Sequence, residues 1–416
     1  MNNIIINGNK PLSGKVAVHG SKNAVLPILA STVLNGGENT VLNCPHLRDV
    51  DSSLEILKYL GCNVSYGKNM VKVNSKTITR DSIPENLMRE MRSSIIFLGA
   101  VAARCKEVEI SAPGGCELGP RPIDLHLKAL RELGMEIEEH GGYIKCKAKD
   151  LHPANIHLSF PSVGATENIM LASCNIEGKT VITNAAKEPE IVDLANYLNK
   201  MGANIKGAGT ERIEIIGTRE FKDVEHEVMP DRIVAATYLC AAMATRSEIE
   251  VTNVITEHIR AVLSVLKDSG AKLKENETSI EISAPKVIKP IDYIRTQPYP
   301  GFPTDAQSLV MAYLTLADGT SVIVENIFAN RYKNVEELLK MGADITIDGR
   351  VAVIKGVKKL NAAKVRATDL RGGASLVIAA LAAEGSSEIS GISHIERGYD
   401  GLCEALKGLG ADIKIG

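Results

Sequence analysis

The sequence predicts an α/β fold assembled from six similar units, and three observations carry that prediction. The first is a helical segment that runs into a glycine and then a strand, six times over: LEILKYLGCNVS, LKALRELGMEIE, LANYLNKMGANI, LSVLKDSGAKLK, VEELLKMGADIT and LCEALKGLGADI. The glycines Gly61, Gly134, Gly202, Gly270, Gly342 and Gly410 are spaced 73, 68, 68, 72 and 68 residues apart. Leu and Met recur at helical spacing before each, and glycine suits the left-handed position that closes a helix. Six near-equal steps mark an internal repeat. The second observation is another helix between these, small and apolar, as in SKNAVLPILASTVL, PDRIVAATYLCAAMA and TDLRGGASLVIAALAA. Helices so rich in Ala, Ser and Gly suit close packing inside a domain. The third is a β-branched run after these helices, such as EVEISAP, TVITNAA or SVIVENI. Each unit of about 70 residues therefore reads as helix, strand, helix and β-hairpin.

The ends of the chain break this scheme. After Gly410 only ADIKIG remains, whereas NIIINGNKPLSGKVAVHG near the start supplies two strands with no preceding helix. The N-terminal strands are expected to complete the last unit. Residues 22–229 then form one three-unit domain, carrying a glycine-rich loop at 111–126, and residues 1–21 with 230–416 form the other. The chain crosses between them near 21 and near 230, which predicts a hinge and a closable cleft.

Composition narrows the function. The 416 residues carry a net charge of −2 and are 44% hydrophobic, with no basic excess to attract nucleic acid. Trp is absent and aromatics are 4%, so surfaces for stacking bases are scarce. The start, MNNIIINGNK, lacks the pattern of a signal peptide, and the longest apolar run, Ile233 to Ala244, is too short to cross a bilayer. Eight scattered cysteines without a C-x-x-C pair, and nine histidines without H-E-x-x-H, predict neither a metal site nor a disulfide framework. A reduced, cytoplasmic protein is expected. No Walker A motif and no complete G-x-G-x-x-G is present, so no nucleotide cofactor is expected.

One thiol stands out. Cys116 lies in APGGCELGPRPIDLH, where glycines and prolines exclude a helix or a strand interior. The residues predict a surface loop, in which Cys116 is either idle or used. Charged and polar groups also gather where the small helices begin: Lys22-Asn23, Arg92, Asp231-Arg232, Asp305 and Asp369 with Arg371. Helix N-termini favour anions, and an acidic residue there can act as a cap. Cations such as Lys22, Arg92 and Arg371 are out of place at such ends unless an anion sits between, which predicts a ligand with several negative charges.

With these motifs in view, the chain resembles the enolpyruvyl transferases that act on UDP-N-acetylglucosamine. The resemblance spans the whole chain and rests on GSKNA at 20, MRSS at 91, PGGCELGPRPIDLH, SVGATEN at 162, AAKEPEIVDL at 185, MPDRI at 229, PGFPTD at 300, ATDLR at 367 and HIERGY at 394. It implies two inside-out α/β domains, each of three pseudo-symmetric βαβ-type repeats, with the active-site cleft between them. It also implies transfer of the enolpyruvyl group of phosphoenolpyruvate to the 3′-hydroxyl of UDP-N-acetylglucosamine with release of phosphate. That reaction opens peptidoglycan synthesis, with the cell-shape and cell-division roles this brings, and fosfomycin inhibits it. The small-molecule substrates are the expected partners, without nucleic acid, membrane, metal or cofactor.

Site residues carry over one at a time. Cys116 is implied to be the acid toward C3 of phosphoenolpyruvate, open to a covalent adduct, in a loop that closes as a lid. Lys22, Asn23, Arg121 and Arg397 are implied to bind phosphoenolpyruvate, Lys22 and Arg397 also serving catalysis. Asp305 is implied to be the base that meets the sugar hydroxyl, and its own residue-level reading is a helix cap after Thr304. Arg92, Arg121, Pro122, Ile123, Asp124, Leu125, Ser162, Val163, Gly164, Asp305 and Ile327 are implied to hold the nucleotide sugar. Asp231, Asp369 and Arg371 are implied to support the reacting groups or to pass protons. The chain departs from the pattern at Phe160-Pro161, where some members have Lys, which bears on the diphosphate contact. The alternatives are a 5-enolpyruvylshikimate-3-phosphate synthase-like transfer and a non-catalytic relative that binds UDP-sugars.

Overall fold

Six helices made of small and apolar residues are buried along nearly their whole length, and the sheets lie outside them. The computed structural model describes residues 3–112 and 123–416. The buried helices are α1 (Lys22–Ser31), α2 (Ile96–Cys105), α3 (Val163–Ser173), α4 (Arg232–Ala244), α5 (Thr304–Leu314) and α6 (Leu370–Ala382). Burial of Ile28 and Leu29, both fully inaccessible, contributes about 1.5–3 kcal/mol each. Small side chains let backbones close up. A Cβ at Gly99 of α2 would fall 2.6 Å from Asn168 Oδ1 and 2.7 Å from Asn168 O of α3.

The described residues divide into two units, 20–112 with 123–229 and 3–19 with 230–416. Each unit holds three four-stranded sheets. In the first repeat, Glu38–Leu42 pairs antiparallel with Met70–Asn74, which pairs antiparallel with Asn63–Gly67. Glu38–Leu42 alternates between open and buried positions, as a sheet with one face on the core and one toward water must. All six repeat glycines end their helices at φ between 87° and 122°, so the periodic helix–glycine–strand reading describes the fold.

Two features differ from that reading. Each sheet gains a fourth, edge strand of two to five residues that runs parallel to its neighbour, such as Ser82–Ile83 beside Glu107–Ser111. These strands are too short to carry a period of their own. The N-terminal strands also part company. Ile4–Asn7 sits between Ser386–Ser390 and Asp412–Ile415 and completes the last sheet. Ser13–Ala17 does not; it pairs with Glu248–Thr252 in the fourth repeat. Val224–Glu227, just ahead of α4, pairs in turn with Glu38–Leu42 of the first repeat. At both crossings the strand before a core helix thus joins the sheet of the unit the chain is leaving.

Candidate active site

In the unit of residues 20–229, Lys22 is the first residue of α1. Its ammonium lies 2.8 Å from the buried carboxylate of Asp49. A protein anion thus answers the cation at this helix start, which removes Lys22 as evidence, by itself, for a charged ligand. Asn23 follows, half-buried. Pro27 inside α1 has no N–H, so the carbonyl of Asn23 lacks its usual helical donor. Gly20, before the helix, is confined by sterics, since a Cβ there would stand 1.8 Å from Asn43 O.

Arg92 opens the short 3₁₀ turn Arg92–Ile95 ahead of α2. Ile123 precedes the helix Asp124–Glu132, whose Asp124 is exposed and Leu125 half-buried. Ser162 caps α3, its hydroxyl accepting from the Ala165 amide at 3.3 Å. Val163 and Gly164 follow in the first turn. The PIDLH stretch and the SVGATEN stretch meet here through two residues to which the sequence assigns no role of their own. Asn168 Oδ1 accepts from the Gly99 amide at 2.9 Å, and its Nδ2 donates to Ile95 O at 3.0 Å and to His126 Nδ1 at 2.8 Å. The amide orientation fixed by Gly99 and Ile95 makes His126 Nδ1 an acceptor, so its proton sits on Nε2. That edge of the ring lies against Gly164, where a Cβ would fall 2.9 Å from His126 Cε1 and 3.3 Å from Nε2.

In the unit of residues 3–19 and 230–416, Asp231 and Asp369 are N-caps. Asp231 Oδ1 accepts from the amides of Ile233 and Val234, and Asp369 Oδ1 from those of Arg371 and Gly372. Asp305 corrects the cap reading. Pro303 holds the cap position of α5, and the Asp305 carboxylate turns instead to two guanidinium groups. Arg331 Nη2 donates to Oδ1 at 2.6 Å, and Arg371 Nη2 approaches Oδ2 at 3.4 Å. Both arginines are almost wholly buried, and the Arg371 guanidinium also lies 5.3 Å from the Tyr399 ring centre. Burial pushes the Tyr399 phenol up, and its hydroxyl shares a 2.8 Å hydrogen bond with Thr237. Arg397 is half-buried in the turn just before Tyr399.

Ile327 is half-buried, and its amide donates to Glu325 Oε1 at 2.7 Å. The motifs of the sequence single out neither Glu325 nor Arg331. A signal for Glu325 existed: Ser321, Ile323 and Glu325 share the buried phase of a strand, and a carboxylate there needs donors. Arg331 leaves no comparable trace.

Cys116, Arg121 and Pro122 lie outside the described residues, as does most of the loop at 111–126. The other seven cysteines form no disulfide among the described residues, and six are buried. Burial pushes the thiols of Cys62, Cys146 and Cys174 up to about 12, which disfavours thiolate chemistry at those positions. Among the described residues, no cluster of His, Cys, Asp and Glu has the makings of a metal site, and no helix is long and apolar enough to cross a membrane.

The family model described as EPSP synthase (3-phosphoshikimate 1-carboxyvinyltransferase) matches residues 6–406. A UDP-N-acetylglucosamine 1-carboxyvinyltransferase 2 of Caldanaerobacter subterraneus subsp. tengcongensis is 55% identical over 408 residues, 98% of each chain. A UDP-N-acetylglucosamine 1-carboxyvinyltransferase 1 of Carboxydothermus hydrogenoformans is 49% identical over 100% of this chain and 98% of its own. Among solved structures, the enolpyruvyl transferase NikO from Streptomyces tendae superposes with a TM-score of 0.90 at 23% identity, covering 100% of this chain and 98% of that one. That likeness speaks to the fold.

Proposed function

Since the chain belongs to the EPSP synthase (3-phosphoshikimate 1-carboxyvinyltransferase) family, and within it to the UDP-N-acetylglucosamine 1-carboxyvinyltransferases, we propose that it transfers the enolpyruvyl group of phosphoenolpyruvate to the 3′-hydroxyl of UDP-N-acetylglucosamine. The observation that carries this reading is the 55% identity maintained over 98% of the chain. The reaction is an addition followed by an elimination. C3 of phosphoenolpyruvate takes a proton while the sugar oxygen bonds to C2 and gives up its own. The tetrahedral ketal then loses a proton from C3 as the C2–O bond to phosphate breaks, leaving the enol ether and inorganic phosphate.

In this reading Cys116 is the acid toward C3, since a free thiol with a pKa of about 8.5 is a workable donor near neutral pH. Asp305 is the base toward the 3′-hydroxyl, and Arg331 holds its rotamer with a charge-assisted bond. Lys22, Asn23, Arg121 and Arg397 take the phosphate and carboxylate of phosphoenolpyruvate. Ser162, Val163 and Gly164 offer the first-turn amides of α3 to the diphosphate, as helix N-termini do. Arg92, the run from Arg121 to Leu125, and Ile327 take the rest of the nucleotide sugar. Asp231 and Asp369 hold the first turns of α4 and α6, and Arg371 holds Asp305 from α6. The reaction needs no cofactor or metal, is cytoplasmic, opens peptidoglycan synthesis and is blocked by fosfomycin.

Phosphate release measured with UDP-N-acetylglucosamine and, separately, with shikimate 3-phosphate tests the reading. Release with the nucleotide sugar alone is expected. Release with shikimate 3-phosphate alone points to the shikimate reaction, and binding of the UDP-sugar without release points to a non-catalytic relative.

A further inference from the structure

Two segments of the second unit carry residues assigned above to the acceptor sugar. Asp305 stands in the first turn of α5, and Ile327 lies beyond the strand Thr320–Val324. One buried side chain touches both. Glu325 is 1% exposed. Its Oε1 accepts from the amides of Ile327 at 2.7 Å and Phe328 at 3.0 Å, and from the Thr296 hydroxyl at 3.0 Å. Its Oε2 accepts from the Thr304 hydroxyl at 2.9 Å. Four neutral donors thus converge on one carboxylate, which is how a buried acid is kept satisfied.

The connection continues past Thr304. Its carbonyl accepts from Arg331 Nε at 3.3 Å and Nη2 at 3.2 Å, and the same Nη2 donates to Asp305. Glu325, Thr304, Arg331 and Asp305 therefore form an unbroken chain of hydrogen bonds. The Thr296 hydroxyl, besides donating to Glu325, accepts from the Asn326 amide at 2.8 Å, which closes the other side of the turn.

From this geometry, and resting on the function proposed above, we infer that Glu325 is a positioning residue for the acceptor. It holds the 325–328 turn and the first turn of α5 in one fixed relation, so that Ile327 and Asp305 meet the nucleotide sugar as a single rigid edge. Glu325 touches no reacting atom. Its effect falls on the acceptor and on turnover, and leaves the affinity for phosphoenolpyruvate alone.

Gln and Leu at this position separate positioning from mere support. In Glu325→Gln the amide oxygen can keep the three donors on the Oε1 side, while the NH₂ faces a Thr304 hydroxyl that rotates to accept. Kinetics within about threefold of wild type are expected. Glu325→Leu strands the half-buried amides of Ile327 and Phe328 and frees the turn. Its KM for UDP-N-acetylglucosamine is expected to rise, and its kcat to fall, by about tenfold or more at an unchanged KM for phosphoenolpyruvate. If the Leu variant does not fold, Thr304→Val, which cuts only the link to α5, is expected to show the same split, and Thr304→Ser to restore wild-type values. A Leu or Val variant that stays folded with both KM values and kcat unchanged, or that loses affinity for both substrates equally, overturns the inference. A wild-type protein that releases no phosphate with UDP-N-acetylglucosamine overturns the functional reading itself, and this inference with it.

Discussion

Arg331 Nη2 donates to Asp305 Oδ1 at 2.6 Å, from a guanidinium whose residue is 3% exposed. Arg371, 2% exposed, faces the other oxygen. One carboxylate therefore compensates two buried cations. Removing it leaves both in a low-dielectric setting without this counter-charge, and breaking a buried pair from one side costs about 3–5 kcal/mol. Asp305→Ala is expected to lose up to that much stability in urea unfolding. That figure is an upper limit because the Asp305 side chain is itself 28% exposed and water can reach the vacated side. The double variant Asp305→Ala with Arg331→Met is expected to regain part of it, because one stranded charge is gone. A single variant within about 1 kcal/mol of wild type contradicts this account.

Gly164 meets the His126 ring where α3 begins. An added methyl would fall 2.9 Å from His126 Cε1, so the ring or the helix must shift. Gly164→Ala is expected to destabilise by about 1–3 kcal/mol. It is also expected to raise KM for UDP-N-acetylglucosamine while sparing KM for phosphoenolpyruvate. Equal effects on the two substrates would remove this helix start from the acceptor site.

Glu167, buried in α3, has its carboxyl pushed well above the usual range, first by burial and then by the neighbouring Glu190 and Glu188. The folded state therefore holds this proton more tightly than the unfolded state, whose carboxyl titrates near about 4.3. Above that pH the native state binds more protons, so this group's contribution to stability declines as pH rises through the folded value. Glu167→Gln keeps the shape and has no proton to lose. Thermal unfolding from about pH 5 to 8 is expected to show a flatter profile for the variant and a higher midpoint at neutral pH. A variant that parallels wild type throughout refutes the burial argument.

Cys116 is tested by chemistry. Cys116→Ser replaces a thiol with a far weaker acid, so turnover is expected to fall by about 10²–10⁴-fold while the nucleotide sugar still binds. Cys116→Asp supplies another acid and should recover much of the rate, with its optimum moved to lower pH. Fosfomycin, an epoxide, should alkylate the wild-type thiol and spare the Asp variant. Steady-state phosphate release across pH reads all three. A Ser variant near the wild-type rate would make Cys116 an idle thiol.

Sequence reading reaches the features that local chemistry dictates. The repeat glycines are legible because a helix that turns back at once needs a left-handed residue, and Gly61 and its five counterparts provide it. Asp231 and Asp369 are legible as caps because a carboxylate before an apolar helix does one local job. The edge strands are not, since Ser82–Ile83 and Ile294–Arg295 have two residues each and owe their form to a neighbour. Ser13–Ala17 looks like any strand, and nothing local distinguishes the fourth repeat from the sixth as its partner. Asp305 is legible as a polar group at a helix start, yet local chemistry suggests a cap, because its real environment is set by Arg331 and Arg371, distant in sequence. Glu325 and Asn168 belong to the same class: their meaning lies in which donors surround them.

The pairing of Ile4–Asn7 with Asp412–Ile415 sets an order of events during synthesis. Every strand of the unit between residues 20 and 229 is synthesised before Arg232 is added, so that unit can emerge and close while translation of the rest continues. The unit of residues 3–19 and 230–416 cannot. Its earliest strand must stay unpaired until the chain has reached Ser390, its second partner following only at Ile415, and Ser13–Ala17 must wait for Glu248–Thr252. A nascent chain arrested near residue 300 should therefore carry a protease-resistant centre flanked by a cleavable N-terminal arm. A circular permutant opened in the turn at Gly349, with Asn3 linked to its neighbour Gly416, would have that arm beside its partner from the start.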